Sequence, residues 1–182
     1  ALVVPTLSLS GKEYFPDSRD QILDLLREFL SDPGVPLVGH NAGQFDRLVC
    51  EARLGITPKL TADTILLHRL ADNEMPHNLG FIGSFYTDFT EAWKADHTAT
   101  EAKSDTDLFI YCAKDACVTV RASRKLASAI RERDQWHLIA REHTLQEVGA
   151  EMERVGMRIN LGKVRQKEYE IDEKLNKQKK LI

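Results

Sequence analysis

No apolar run in this 182-residue chain approaches the ~18 residues that cross a bilayer as a helix. No basic stretch followed by an apolar one opens it, so no secretory leader is expected. Cysteine is scarce, at three residues. Cys50, Cys112 and Cys117 are odd in number and unpatterned, which speaks against a disulfide framework or a zinc site and for a reducing compartment. The six histidines, His40, His68, His77, His97, His137 and His143, lack His-x-x-x-His spacing and read as surface or core residues. His77, placed before a helix, is the one expected to support a site indirectly. Basic residues are few in the first part: residues 1–115 hold 10 Lys and Arg against 18 Asp and Glu, a net of −8. Residues 116–182 reverse this with 15 against 10, a net of +5. Such a split suits metal-binding carboxylates in one part and a phosphate-contacting surface in the other, or simply a solvated helical surface rich in Lys and Arg.

What is present is ordinary for a globular chain: 42% hydrophobic and 29% charged residues. That is enough for one domain, or one domain with an appendage, to bury a core without staples. Residues 2–9 read as a strand that Pro5 pushes to an edge, with Gly11 turning it back onto residues 12–15. Because the chain opens in mid-sheet, a missing upstream piece is expected. Asp17 or Ser18 should cap a helix over 19–31 whose Ile22, Leu25, Leu26, Phe29 and Leu30 bury one face. Asp32-Pro33-Gly34 stops it. Residues 35–39 form a short apolar run, as in a strand covered on both faces. A turn over 40–43 leads to a helix from Phe45 to Arg53, closed by Gly55. A strand near 59–63 and helices over 64–71 and 78–86 follow. Residues 87–104 look irregular, and a long helix runs over 106–133. Two more helical stretches, 135–155 and 161–182, are separated by Gly156 and an extended piece. This order is α/β, a sheet with helical cover.

Two short segments could carry chemistry. Gly39-His40-Asn41-Ala42-Gly43-Gln44-Phe45-Asp46 follows a buried strand and opens a helix, and the space beyond strand ends is where α/β proteins build sites. Taken alone, Asp46 reads first as an ordinary helix-start carboxylate complementing the helix dipole. Tyr111-Cys112-Ala113-Lys114-Asp115 lies inside the long helix, where positions four apart share a face. Alone it is a common pairing.

Together the two segments, with Asp46 and Asp115 69 residues apart, resemble the second and third motifs of 3′–5′ exonucleases with a ribonuclease H-like fold. Those motifs, Asn-x-x-x-Phe-Asp and Tyr-x-x-x-Asp, read here as Asn41, Phe45, Asp46 and Tyr111, Asp115. Tyrosine in the last motif points to the subgroup found in the proofreading domains of family A DNA polymerases. Asp63-Thr64-Ile65-Leu66-Leu67 and His77-Asn78-Leu79 are similar to intervening segments of that family, read as structural rather than metal-ligating. Glu151-Met152-Glu153-Arg154-Val155-Gly156-Met157-Arg158-Ile159-Asn160 resembles the segment that opens the polymerase region, with Asn160 where an Asp is usual. Gly156 also reads as the left-handed C-cap of a helix.

The resemblance implies a ribonuclease H-like mixed sheet flanked by helices, incomplete at the N-terminus, over residues 1–134. Residues 135–182 would be the helical start of the polymerase thumb. It implies Mg2+ or Mn2+ at a two-metal site, with Asp46 and Asp115 each helping to hold one ion and Tyr111 orienting the attacking water. The substrate would be the 3′ end of single-stranded DNA, with primer-template DNA as the wider partner. Phe45 would pack under a terminal base, or else in the core; Asn41 would hydrogen-bond the nucleotide, or else serve a turn with positive φ. Lys94, beside Trp93, would approach a phosphate, or else be a loop cation. The basic C-terminal arm fits a duplex-gripping helix or a salt-laced one. A cytoplasmic setting, in a bacterial cell or a phage-infected host, would follow, with no membrane partner and no obligate oligomer.

The Asp-x-Glu of the family's first motif has no counterpart ahead of residue 41. Asp72-Asn73-Glu74 sits after the second motif in a polar loop and is rejected as a substitute. The 182 residues thus hold two of four expected ligands, and little nuclease activity is expected of them in isolation. Two other readings share the residues: a free-standing exonuclease on RNA or DNA, and a scaffold of the same fold that has lost activity.

Overall fold

The computed structural model describes residues 1–88 and 102–179. By compactness the chain divides into residues 1–150 and residues 151–182. Helices dominate the first unit, built around a small parallel sheet.

The helical spacing over 19–31 produces α1, Arg19–Ser31, preceded by a 3-10 turn at Pro16–Ser18. Ser18 occupies the N-cap position but its side chain makes no capping bond. The expected burial of one face does not occur. Leu25 and Phe29 stay 58% and 55% exposed, and Ile22, Leu26 and Leu30 are half-buried. Periodicity shows which face of a helix is apolar; burial also needs an opposing surface, and the two-stranded sheet offers a narrow one.

The apolar run after Gly34 yields β1, Leu37–Gly39, half-buried along its length rather than covered on both faces. Helix α2, Asp46–Leu54, then returns the chain to β2, Leu60–Asp63. Gly55 ends α2 with φ 68°, the left-handed conformation that favours glycine. The strands pair in parallel, Leu37 with Leu60, Val38 with Ala62 and Gly39 with Asp63, with an irregularity between Leu37 and Val38. β1–α2–β2 is a crossover unit, and the register ends both strands at the same level.

The strand expected over residues 2–9 is not formed, and its expected hairpin partner over 12–15 meets it at one bridge. The segment folds back, with Ser8 N–H on the Lys12 carbonyl at 2.8 Å and Tyr14 N–H on that of Thr6 at 3.1 Å. Only one isolated antiparallel bridge, Leu7 with Glu13, results. The hairpin is tied instead to a helix. Asp105 accepts the Leu9 N–H at 2.8 Å and the Tyr14 hydroxyl. Tyr14 also meets Phe109 edge-on.

Helices α3 (Thr64–Ala71), α4 (Leu79–Tyr86) and α5 (Asp105–Glu132) supply the core. Each starts on a side-chain cap, from Asp63, Asn78 and Ser104 respectively. Such a cap contributes about 1 kcal/mol. Leu67, Ile82, Leu126 and Ile130 are fully buried, in one cluster with the buried Ala62, Ala71, Ala122 and Ile139. Each large side chain contributes roughly 1.5–3 kcal/mol by leaving water. Helix α6 spans Ile139–Val155 and α7 spans Leu161–Lys179. Gly156 takes φ 67°, as expected of a left-handed cap.

Candidate nucleic-acid site

The level ends of β1 and β2 dictate the geometry beyond them. Gly39 leads into the turn over residues 40–43 while Asp63 stands beside it. Asp63 is fully buried and its carboxylate accepts from four backbone N–H groups: Asn41 at 2.8 Å, Ala42 at 2.9 Å, Gly43 at 3.5 Å and Ile65 at 3.0 Å. Successive N–H groups converging on one carboxylate make an anion cradle. Here the protein fills the cradle itself, so the turn is held from beneath. Asn41 accordingly adopts φ 55°, the positive value that asparagine tolerates. Gln146 of α6 adds a fifth donor, Nε2 to Oδ2 at 3.2 Å.

Two glycines make the turn possible. A Cβ at Gly39 would sit 2.2 Å from the Ala42 Cβ, and one at Gly43 would sit 2.2 Å from Gln146 Oε1. Thr64 donates to the Gly39 carbonyl at 3.2 Å and meets His40 Nδ1 at 2.9 Å. On the other flank, His68 and His77 share a hydrogen bond between their Nδ1 atoms at 2.7 Å. Burial, helped by the His77 charge and opposed by Asp72, holds the His68 imidazole below its ordinary pKa.

Above this frame lies a cavity of about 920 Å³. Asn41, Phe45, Asp46 and Asp115 all line it, joined by His77 and Asn78. The carboxylates expected to act together are thus brought to one space from α2 and α5. Phe45 is 67% exposed, so its core alternative falls away. Burial pushes the Asp46 carboxyl above its usual range, with the Asp63 charge adding to the effect. Tyr111 is placed differently. It is half-buried against Leu79 and Val118, one turn before Asp115, and is not part of the cavity wall. Lys94 lies outside the described residues.

Hard carboxylate oxygens are the donors magnesium and manganese prefer. The number is short. Among the described residues no three His, Cys, Asp or Glu side chains gather into a group that could hold a metal ion. The wall offers Asp46 and Asp115, the right kind of donor in too small a set. Sequence reasoning did not find Gln146 or Arg47. Gln146 meets Asp63 across 83 residues with no local signal. Arg47 lies on the cavity wall, and its only local signal is a Glu four residues later on the same helix.

A family model described as 3′–5′ exonuclease matches residues 10–131, about two thirds of the chain. Nothing matches among curated proteins or among solved structures. The match takes in both strands, helices α1 to α4 and nearly all of α5, and so the whole cavity wall. The chain, α/β with a ribonuclease H-like arrangement, therefore belongs to the 3′–5′ exonuclease family.

Proposed function

We propose that this chain is the proofreading domain of a family A DNA polymerase, removing nucleotides from the 3′ end of single-stranded DNA. The observation that carries the reading is the shared cavity: Asp46 and Asp115, 69 residues apart, line one space with Asn41 and Phe45. In this reading Asp46 and Asp115 are two of four carboxylates for a pair of Mg2+ or Mn2+ ions. Such a pair, when bound, clamps the attacking and leaving oxygens and lowers the pKa of water. Phe45 offers an exposed ring on which a terminal base stacks, a contact worth roughly 1–3 kcal/mol. Asn41, held at positive φ, presents its amide to the nucleotide. Tyr111, one turn before Asp115, positions water by hydrogen bonding. The reading also assigns a phosphate contact to Lys94, which lies outside the described residues. Residues 135–182 are the helical start of the thumb, and their cations face primer-template DNA. The setting is the cytoplasm of a bacterial cell or a phage-infected host; no described helix is long and apolar enough to cross a membrane.

Two carboxylates make a weak cation site, so the 182 residues alone hydrolyse single strands slowly or not at all. The test is an assay on 3′-labelled single-stranded DNA with manganese. A protein extended upstream in its parent gene by ~25–30 residues, the size of a hairpin and turn, should digest it. If the extended protein is inert, the proofreading reading fails. A strand-binding scaffold is the second reading, in which the exposed Phe45 ring and the cavity wall hold a strand without cutting it. It gains if the extended protein binds the strand and leaves it intact.

A further inference from the structure

Arg47 stands next to Asp46 in the first turn of α2 and lines the same cavity. It is the one lysine or arginine of that wall among the described residues. Its backbone is fixed, with N–H on the Ala42 carbonyl at 2.9 Å. Its side chain is fixed too. Nε donates to Glu51 Oε1 at 2.9 Å, and the same oxygen accepts from the Thr57 hydroxyl at 3.0 Å. The arginine and glutamate side chains are 20% and 27% exposed. This pair is held inside the wall, unlike the solvent-facing pairs of α6 and α7.

The way the guanidinium is used matters more than the pairing. Of its five N–H donors only Nε is engaged, and the two terminal amino groups meet no acceptor among the described residues. A guanidinium tethered by Nε presents its outer edge as a planar fork, matched to two oxygens of a phosphate. The charge argument points the same way. Asp46 and Asp115 give the cavity two carboxylates, which repel a polyanion. Arg47 supplies a permanent positive charge at the same wall, anchored against collapse onto Asp46 by Glu51.

We propose that Arg47 is a phosphate-binding residue of this cavity: its terminal amino groups grip an internucleotide phosphate of the single strand, in a direction set by Glu51 and Thr57. The proposal rests on the nuclease reading of the site and adds to it a specific cation.

The test measures binding rather than cleavage. Residues 1–182 are titrated, in EDTA, against a fluorescent oligothymidylate with a free 3′ end, and anisotropy is followed over a range of salt. Arg47→Met should weaken binding ~5–20-fold and lower the slope of log affinity against log salt by ~0.7, the value for one single-strand phosphate contact. Arg47→Lys should restore the slope but only part of the affinity, since an ammonium lacks the fork. A methylphosphonate walked along the strand should weaken the wild-type chain at one linkage and leave Arg47→Met unaffected there. That comparison also holds for Arg47→Lys should Arg47→Met fail to fold. Equal affinity and equal slope for wild type and Arg47→Met would overturn the phosphate role while leaving the nuclease reading intact. A wild-type chain that binds no single strand would overturn both.

Discussion

Gln146 donates its side-chain amide to Oδ2 of Asp63 at 3.2 Å, joining α6 to the end of β2. The contact places a residue outside the family match directly beneath the turn that precedes Asp46. Asp63 thereby serves five donors at once: three from the turn, one from α3 and one from α6. Removing a carboxylate from such a place strands several buried N–H groups, each costing about 1–3 kcal/mol. Asp63→Ala should therefore destabilise by roughly 3–5 kcal/mol, in the range reserved for broken buried networks. Urea unfolding followed by circular dichroism reads this out. Gln146→Leu, which removes one donor, should cost only about 1 kcal/mol.

Gly43 and Gln146 should couple. A Cβ at residue 43 would meet Gln146 Oε1 at 2.2 Å and Cδ at 2.5 Å. Gly43→Ala alone must push the glutamine aside and so weaken its bond to Asp63. In the Gln146→Ala background the obstacle is gone. The double variant should be less destabilised than the two single variants together by about 0.5–3 kcal/mol, the usual span for residues in contact. Additive urea midpoints would show that the glutamine moves freely.

Gly39 offers no such relief, because its nearest neighbour is the Cβ of Ala42, fixed to a backbone that Asp63 holds. Gly39→Ala should cost about 1–3 kcal/mol by overpacking. Its melting temperature should drop, and Ala42→Gly should restore part of the loss.

The raised pKa of Asp46 has a consequence for stability. Its folded carboxyl binds a proton more readily than its unfolded one. Folding is therefore favoured below the ordinary carboxylate pKa, and that advantage disappears as pH rises through the raised folded value. Above both values the ionised group is a standing cost. Asp46→Asn should be more stable than wild type at neutral pH and lose that advantage in acid. Asp46 is exposed as a residue although its carboxyl is partly desolvated at the cavity, so screening keeps the gain below about 1 kcal/mol. Unfolding midpoints of the two proteins at several pH values measure it.

His68 works in the opposite direction. Its imidazole is 1% exposed and its pKa is lowered, chiefly by burial and then by His77. The unfolded chain takes up a proton first, so stability is lost as pH falls from about 6.5 toward the lower folded value. His68→Phe should flatten this part of the stability profile, which urea midpoints at pH 8 and pH 5.5 would show.

Local chemistry made most element bounds legible. Gly55 and Gly156 announced their helix ends, and the strand-to-helix step at Asp63-Thr64 was read directly. The apolar stripe of α1 was legible as a stripe, but its exposure at Leu25 and Phe29 was not, because cover is a property of other parts of the chain. Likewise the turn at Gly11 that brings residues 12–15 back toward the preceding segment is legible, whereas the attachment of that segment to Asp105 is not. The 96 residues between Leu9 and Asp105 leave no periodic trace. Of the candidate site residues, Asn41, Phe45, Asp46 and Asp115 gather at one cavity and Tyr111 stands off its wall. Motif spacing names such groups; their approach depends on strand register, which the sequence does not display.

The cradle around Asp63 reverses the usual order of rigidity. The amide protons of Asn41 and Ala42 are spent on a carboxylate with no solvent exposure, whereas no residue of α1 is buried. Deuterium should replace the protons of that helix well before it reaches this irregular stretch. A loop is then firmer ground than this helix, and a strand end drawn across it meets a surface already set.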